Sequence, residues 1–327
     1  MPTQPGVVRI TSLCSAFAVM LAAPLQAQET ASEPVEERFD EPAAPAETRR
    51  SDRVRIYISV DMEGVAGVVT GDQLGPEGFE YERFRQFMTD EVNAAIDAAR
   101  AAGATDVLVS DSHGNGQNLL IEQLPVDVMV VRAWPRPLGM MDGIDDSFTG
   151  AIFLGYHSST SNRRGVRAHT MSSANVTELR LNGIAMSEAG LNAAIAGQFG
   201  VPVILVSGDD VAVAETQVIV GNVEGAVVKW SRGFHSARTL TPLAAQEVIR
   251  TRVASAMSRL EDFEPYVMET PVEVELSLKH YRPVELLGYL PNIERISSHT
   301  VRYTANDMTD VSRFLTFVLN YRVDLQP

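Results

Sequence analysis

The feature that most constrains the fold is a series of short, almost wholly apolar runs that alternate with segments of helical spacing. The runs occupy residues 54–60, 105–111, 126–133, 149–156 and 201–210. Continuous apolar runs are typical of strands that are covered on both faces. Between the first two runs, residues 81–103 carry apolar side chains at helical spacing and end at Gly103, a helix-stopping residue. The alternation predicts an α/β fold with a doubly wound, mostly parallel sheet.

The pattern changes after residue 230, where strands and helices no longer alternate. The elements predicted there are a helix over residues 241–260, strands over 272–278 and 300–305, and a closing helix capped by Asn306 or Asp307. They indicate a smaller α+β domain, residues 231–327, beside an α/β catalytic domain, residues 51–230. Within the first domain, Asn182-Gly183 predicts the two-residue turn of a hairpin.

The first fifty residues are predicted to lie outside the folded part. Residues 13–23 form an apolar run that no acidic residue precedes, and Ala27 suits the end of a cleavage site. The run is shorter than the roughly 20 apolar residues of a spanning helix. We interpret residues 1–27 as a cleaved signal peptide, with an uncleaved anchor as the alternative, and the Glu-, Pro- and Ala-rich residues 28–50 as a disordered linker. The expected location is periplasmic or secreted, without stable membrane insertion once the signal is removed.

Charge and cysteine content narrow the possible partners and ligands. The formal net charge of −15 over 327 residues argues against nucleic acid as a partner, because phosphates require clustered Lys and Arg. Cys14 is the single cysteine and lies within the predicted signal peptide. The mature chain would therefore have no disulfide and no thiolate ligand, and His, Asp and Glu would have to hold any metal ion.

Side chains of metal-binding type follow three of the apolar runs. Asp61 and Glu63 follow the first run, Asp111 and His113 the second, and His157 the fourth. Because ligands of a parallel sheet bind beyond the carboxyl ends of its strands, these side chains are expected to meet at one edge. Each motif alone is more often a turn or a helix cap. Together they indicate a metal site, since burying several carboxylates without a cation costs several kcal/mol per ion.

The donor set indicates which metal and which chemistry are possible. Carboxylates with two histidines suit zinc best, with manganese or cobalt as alternatives. One carboxylate could bridge two ions, which would polarise a carbonyl and activate water, as in a hydrolase. His169, in the loop after the fourth run, is a candidate acid, base or nucleophile. A solvent-exposed loop histidine would have the same spacing.

Several segments, in order from about Arg55 to the C-terminus, carry a family resemblance. They are SVDMEGVAG, VLVSDSHG with NLLIEQL, DDSFTGAIFLGYHS, SEAGLNAAIAGQFGVPVILVSGDD and the region of Lys229. Together they resemble the zinc-dependent D-aminopeptidase family associated with bacterial dipeptide-transport operons. The segments that flank His169 differ from the family, so substrate preference is the property that the resemblance predicts least.

The resemblance implies a dinuclear zinc site with Asp61 as the bridging ligand. The implied ligands are Asp61, Glu63, His113, His157 and Glu188. Glu188 enters only through the resemblance, because the helix dipole explains an acid in a first helical turn equally well. The resemblance also makes His169 the catalytic histidine, without deciding between nucleophile and base, and implies a ring-shaped homo-oligomer.

The expected activity is removal of a small N-terminal residue, with D-Ala as the leading candidate, from short peptides. The alternatives are the same metal site acting on another amide or ester, such as an L-peptide or a lactam, and a periplasmic binding or scaffold protein without turnover. Asn192, Asp209 and Asp210 are candidate substrate-binding residues. For the two aspartates, a helix cap is the competing interpretation. Lys229, at a strand end, could steady a carboxylate or an oxyanion.

Overall fold

The computed structural model describes residues 53–322. The strands are β1 (Arg55–Val60), β2 (Asp106–Asp111), β3 (Met129–Val131), β4 (Gly150–Tyr156), β5 (Val176–Leu181), β6 (Ile184–Ala185), β7 (Val203–Asp209), β8 (Glu224–Gly233), β9 (Ser236–Thr239), β10 (Val272–Leu278), β11 (Ile293–Arg295) and β12 (Thr300–Ala305). The helices are α1 (Tyr81–Ala101), α2 (Glu188–Gln198), α3 (Asp210–Val220), α4 (Pro242–Met257), α5 (Tyr281–Leu287) and α6 (Met308–Asn320). Among the described residues, no helix combines the length and the apolar character needed to cross a membrane. The predicted signal peptide and linker lie outside the described residues.

Seven strands form one sheet in the order β3-β2-β1-β4-β7-β8-β9. Every neighbouring pair is parallel except β8 with β9. The chain runs outward from β1 through β2 to β3 and then returns to β4 on the other side of β1. Connections therefore leave β1 and β4 in opposite directions, which opens a crevice at their carboxyl ends. The predicted doubly wound, mostly parallel sheet is confirmed.

A second, antiparallel sheet has five strands in the order β11-β12-β10-β5-β6. In β10, buried positions alternate with partly exposed ones, as its alternating sequence predicts. The β5–β6 hairpin turns at Asn182 and Gly183, whose φ angles of 48° and 78° suit a two-residue hairpin turn.

The second sheet is not confined to residues 231–327, where the sequence analysis places the smaller domain. Strands β5 and β6 come from the middle of the chain, and β5 pairs with β10 so that Leu179 lies opposite Leu276. The predicted boundary after residue 230 also falls inside β8, which belongs to the parallel sheet. Local patterns do not reveal this exchange, because the pairing joins apolar strand faces that are far apart in the sequence.

Both faces of the parallel sheet are covered, as its continuous apolar runs predict. Ile56, Ile58 and Val60 pack with α1 and α4, whereas Tyr57 packs with α2 and the antiparallel sheet. Successive side chains of a strand point to opposite faces, so a strand buried on both sides has few polar positions, and Ser59 of β1 is one of them. The acids Asp61 and Glu63 follow β1, at the carboxyl edge.

Candidate metal centre and active-site cavity

Asp61 and Glu63 lie in a tight turn directly after β1. The Gly64 amide donates to the Gly155 carbonyl at 2.6 Å, so the turn rests on the end of β4. A Cβ at Gly64 would lie 2.1 Å from the Tyr156 carbonyl oxygen, and Gly155 has a φ of +67°. Glycine permits this close approach because it has no Cβ. The approach brings the two acids beside the residues that follow β4.

Two histidines face these acids. His113, after β2, places Nδ1 3.1 Å from Asp61 Oδ1 and 2.8 Å from Glu63 Oε2. His157, after β4, places Nε2 3.3 Å from Asp61 Oδ2. The four residues are at most 7% exposed. The two oxygens of Asp61 thus face two different histidines in a buried site.

Glu188 and His169 complete the cluster. Glu188 is the first residue of α2, and its Oε1 lies 3.3 Å from His157 Nε2 and 3.7 Å from His169 Nε2. The same oxygen accepts a hydrogen bond from the Met171 amide at 2.6 Å. The rings of His157 and His169 stack, with 4.0 Å between their centroids. The structure therefore brings together all six residues that the sequence analysis names as metal ligands or as the catalytic histidine.

The loop that carries His169 has an unusual backbone. Arg167 and Met171, two residues to either side, have φ angles of 54° and 59°. Residues other than glycine rarely adopt this left-handed conformation, and those that do cluster at functional sites. The His169 amide donates to the Ser158 carbonyl at 3.0 Å, which ties the loop to the end of β4.

Each of the three histidines has a backbone carbonyl at one ring nitrogen. The pairs are His113 Nε2 with Leu74 O at 2.7 Å, His157 Nδ1 with Ser158 O at 3.0 Å, and His169 Nδ1 with Arg167 O at 2.8 Å. Because a carbonyl only accepts, that nitrogen carries the hydrogen, and in a neutral ring the other nitrogen presents its lone pair to the carboxylates. Histidines that bind metals are oriented by a contact of this kind.

Several atoms of the cluster are buried without a hydrogen-bond partner, namely Asp61 Oδ2, Glu63 Oε2 and His157 Nε2. Glu63 Oε2 lies close to His113 but is not aligned for a hydrogen bond. Two overlapping sets of residues can each offer three ligand atoms that lie within 4.8 Å of one another: Asp61, Glu63 and His157, and His157, Glu188 and His169. Orphaned carboxylate and imidazole atoms at this separation fit a zinc-type cation.

The pKa values of these groups indicate the same need for positive charge. Burial raises the pKa of Asp61, and the charge of Glu63 raises it further. Burial also opposes ionisation of Glu63 and Glu188, but neighbouring histidines hold the pKa of both carboxyls below the ordinary value. Burial lowers the pKa of His113 and His157, yet the adjacent carboxylates raise it well above the usual range. A metal ion would supply the charge that protons supply otherwise.

A buried lysine supports the turn that carries the acids. Lys229, in β8, is fully buried, and its Nζ donates to the carbonyls of Glu63, Val65 and Val68. Burial lowers the pKa of Lys229 to about 8. Glu91, in α1, accepts a hydrogen bond from the same turn at 3.0 Å, and burial raises its pKa to about 7. Lys229 therefore holds backbone and does not reach the cavity as a ligand for a carboxylate or an oxyanion.

A cavity of about 350 Å³ opens from the cluster. Five residues of the cluster line it: Asp61, Glu63, His113, His169 and Glu188. The remaining wall comes from residues 171–175, from Trp134 and Met140, and from the end of α6 with Arg322. Sequence reasoning missed the contribution of α6, because residues such as Asn320 belong to no motif and follow an ordinary amphipathic helix.

Two predicted polar residues have structural partners away from this cavity. Asp111 accepts hydrogen bonds from the amides of Asn118 at 2.6 Å and Leu119 at 2.8 Å, so it holds the loop after β2. Asp111 does not line the cavity that His113 lines. Asn192 is buried and donates to the Tyr156 hydroxyl at 3.0 Å.

The two acids after β7 also have structural partners. Asp209 accepts from the amides of Val211 at 2.8 Å and Ala212 at 2.9 Å, as a cap of α3. Asp210 accepts from the Ser231 amide at 2.8 Å. Neither these acids nor Asn192 line the cavity. Their predicted role in substrate binding therefore gains no support from the geometry.

Comparison with known proteins assigns the chain to a family. The model of peptidase family M55, described as D-aminopeptidase, matches residues 54–317. The chain belongs to the M55 D-aminopeptidase family. The D-aminopeptidase of Bacillus subtilis (strain 168) is 33% identical over 258 residues, which cover 79% of this chain and 93% of that protein.

A solved structure of the same family shares the fold. The Zn-dependent D-aminopeptidase DppA from Bacillus subtilis, described as a self-compartmentalizing protease, matches with a TM-score of 0.78 at 32% identity. The match covers 84% of this chain and 100% of that one. The predicted membership of the zinc-dependent D-aminopeptidase family is confirmed, and this M55 protein is an enzyme of the metal-dependent, peptide-hydrolysing class.

Proposed function

We propose that this M55 protein removes the N-terminal residue, D-Ala or another small residue, from short peptides at a site that binds two zinc ions. The observation that carries the proposal is the buried cluster in which the two oxygens of Asp61 face His113 and His157, with unpartnered atoms on both sides. The D-aminopeptidase relatives support the substrate class, and the zinc dependence of the solved relative supports the metal. Manganese and cobalt are the alternative ions.

The ligand set divides around Asp61. Glu63 and His113 lie on the Oδ1 side of Asp61, and His157 with Glu188 lies on the Oδ2 side. This division supports Asp61 as a bridging ligand between two ions. We assign His169 to the substrate side, because its side chain is 16% exposed and lines the cavity, whereas His157 is 1% exposed and does not.

Zinc bound at these residues would supply a Lewis acid that polarises the scissile carbonyl and acidifies water. The chain's own contribution is to hold and move protons. His169 donates Nδ1–H to the Arg167 carbonyl, which leaves Nε2 directed toward Glu188 and the cavity. From that position Nε2 can accept a proton from the attacking water and deliver it to the departing amine.

We also propose that the protein acts in the periplasm or outside the cell and forms a ring-shaped homo-oligomer. The apolar run at residues 13–23, with a cleavage site after Ala27, supports the location. The description of the solved relative as self-compartmentalizing supports the assembly. Cell fractionation and light scattering of the purified protein test these two points separately.

The activity is tested with D-Ala and L-Ala para-nitroanilides, before and after chelation, with metal content measured in the same samples. We expect hydrolysis of the D-anilide, its loss on chelation and its return when zinc is added. Absence of D-anilide hydrolysis while zinc is bound would contradict the aminopeptidase proposal. A preference for the L-anilide would instead favour the L-peptidase alternative.

The role of His169 is tested by His169→Asn, with His235→Asn as the control because His235 is exposed and outside the cluster. We expect His169→Asn to lower kcat by roughly 10²- to 10⁴-fold, as for the loss of a general acid–base group, with metal content unchanged. Loss of a metal equivalent would show that His169 is a ligand.

A further inference from the structure

The active-site cavity is charged unevenly. Its lining includes the carboxyl groups of Asp61, Glu63 and Glu188, all in the metal cluster. Among the described residues that line it, Arg322 is the only arginine or lysine. A ligand with a negative end would therefore find one protein cation away from the metal ligands.

Arg322 has no side-chain partner among the described residues. It follows α6, is exposed, and has no hydrogen bond or ion pair to another residue within 53–322. It also lines a neighbouring cavity of about 280 Å³, together with Asn175 and Leu319, which line both cavities. Arg322 thus lies where the two cavities meet, at the side of the active-site cavity formed by α6.

Two other arginines near the site, Arg136 and Arg85, are engaged by hydrogen bonds. Arg136 donates to the Asp111 carbonyl at 3.0 Å and stacks on Trp134 with 3.7 Å to the ring centroid. Arg85 donates to the Asn118 carbonyl at 2.7 Å. A free guanidinium on a cavity wall differs from these, because its donors remain available to a bound molecule.

A short peptide carries a free carboxylate at its C-terminal end. That group is repelled by the carboxylate ligands, and at the metal ions it would compete with the scissile carbonyl. A guanidinium elsewhere in the cavity solves both problems, since it pairs with a carboxylate through two parallel hydrogen bonds. The cavity volume lies at the lower end of the range for small-molecule sites, which suits a peptide of two or three residues.

We propose that Arg322 binds the C-terminal carboxylate of the peptide substrate and thereby selects short peptides with a free carboxylate. The inference rests on the proposed aminopeptidase function and adds to it the residue that recognises the far end of the substrate. Asn175 and Asn320 line the same cavity as Arg322, and the Nδ2 group of each already donates, to the Ser172 hydroxyl and the Thr316 carbonyl respectively.

The test compares three substrates that share an N-terminal D-Ala: D-Ala-D-Ala, its C-terminal amide, and D-Ala para-nitroanilide. The free dipeptide carries the carboxylate, and the other two do not. For Arg322→Gln we expect kcat/KM to fall by about 10- to 100-fold on the free dipeptide, mainly through KM, as for loss of a charged hydrogen-bonding partner. On the amide and the anilide we expect a change of less than about twofold.

Two further variants make the comparison specific. Arg322→Lys keeps the charge without the planar fork, so it should recover part of the activity on the free dipeptide. Arg313→Gln is the matched control, because Arg313 lies in α6, which precedes Arg322, but lines other cavities. It should leave all three substrates unchanged.

The outcomes separate the inference from the function on which it rests. Equal effects of Arg322→Gln on the free dipeptide and its amide, or no effect on either, would overturn the role of Arg322 while the aminopeptidase proposal stands. Failure of the zinc-loaded wild-type enzyme on all three substrates would overturn both. A selective loss on the free dipeptide supports the inference.

Discussion

The two sheets of this protein use charged residues in opposite ways. At the carboxyl edge of the parallel sheet, Asp61 and Glu63 are buried with orphaned oxygens, and among the described residues no arginine or lysine nitrogen pairs with their carboxylates within 4 Å. On the antiparallel sheet, Glu275 pairs with Arg302 at 2.7 Å on a partly exposed face. Paired surface charges contribute little to stability, whereas buried unpaired carboxylates are costly and are retained where a cation binds.

Strand direction explains why the metal cluster forms at one sheet and not at the other. Parallel strands all end at the same edge, so the residues after β1, β2 and β4 converge there. Antiparallel strands end alternately at opposite edges and cannot gather their following residues in the same way. Residues 171–175, which precede β5, and α6 supply cavity wall, and the parallel sheet positions most of the proposed ligands.

The largest expected difference between the two sheets comes from removing one acid from each. Asp61→Asn should abolish metal binding and lower activity by roughly 10³-fold or more, because the proposed bridging charge is lost. Glu275→Gln, the matched control, should keep full metal content and change the free energy of unfolding by less than about 1 kcal/mol. Metal analysis, kinetics and denaturation of both variants check this. Full metal content in Asp61→Asn would contradict the ligand assignment.

Truncating a buried side chain of the antiparallel sheet should lower the free energy of unfolding without changing metal binding or kcat. Leu276 is 1% exposed in β10, so Leu276→Ala should lower the free energy of unfolding by about 2–5 kcal/mol. Metal content and kcat of the folded fraction should stay unchanged, because no ligand depends on this strand. Urea denaturation, metal analysis and kinetics measure these effects. A loss of metal from folded protein would show that the two sheets are coupled.

Both lysines of the chain donate to backbone carbonyls, one in a buried and one in an exposed position, so their substitutions can be compared directly. Lys229→Met should lower the free energy of unfolding by about 2–3 kcal/mol, since three buried carbonyls lose their donor while a buried charge is removed. Lys279 is exposed and donates to the Ser173 carbonyl beside the antiparallel sheet, so Lys279→Met should cost less than about 0.5 kcal/mol. Equal losses of unfolding free energy in urea denaturation would contradict the idea that the buried Lys229 stabilises the backbone more than the exposed Lys279 does.

Glu91 should show its effect in the pH dependence of the free energy of unfolding. The pKa of Glu91 is about 7 in the folded protein against an ordinary 4.5, so the folded state holds this proton more tightly. The wild type should therefore lose stability relative to Glu91→Gln as pH rises from about 4.5 to about 7, by about 2–3 kcal/mol. Denaturation of both proteins across this range measures the difference. A constant difference would contradict the buried, proton-bound carboxyl.

Local sequence pattern was sufficient for part of the site. Asp61, Glu63, His113 and His157 were predictable because apolar runs mark the strands and parallel strands end together. The same signal also pointed to Asp111 as a residue of the metal site, but Asp111 accepts hydrogen bonds from the amides of Asn118 and Leu119 and so holds the loop after β2. A strand-end acid that binds metal and one that closes a turn look alike until the backbone path is known.

Other parts of the site depend on contacts that no local pattern encodes. Glu188 reads as an ordinary first-turn acid, and family resemblance alone pointed to it. Arg322 follows an amphipathic helix without any motif, and only the packing of α6 brings it to the cavity wall. The predicted boundary after residue 230 does not separate the two sheets, because β5 and β6 join a sheet whose other strands come much later in the chain.

By itself, the sequence determined the parallel sheet, the presence of acids and histidines at its carboxyl edge, and the absence of cysteine ligands after residue 14. These follow from side-chain periodicity and composition, which are local properties. Tertiary structure decided which acids remain unpartnered, how the two oxygens of Asp61 are divided between histidines, and where Arg322, the one arginine among the described cavity-lining residues, lies. Those outcomes depend on distances between atoms that are far apart in the sequence, and only the packing of the two sheets sets such distances.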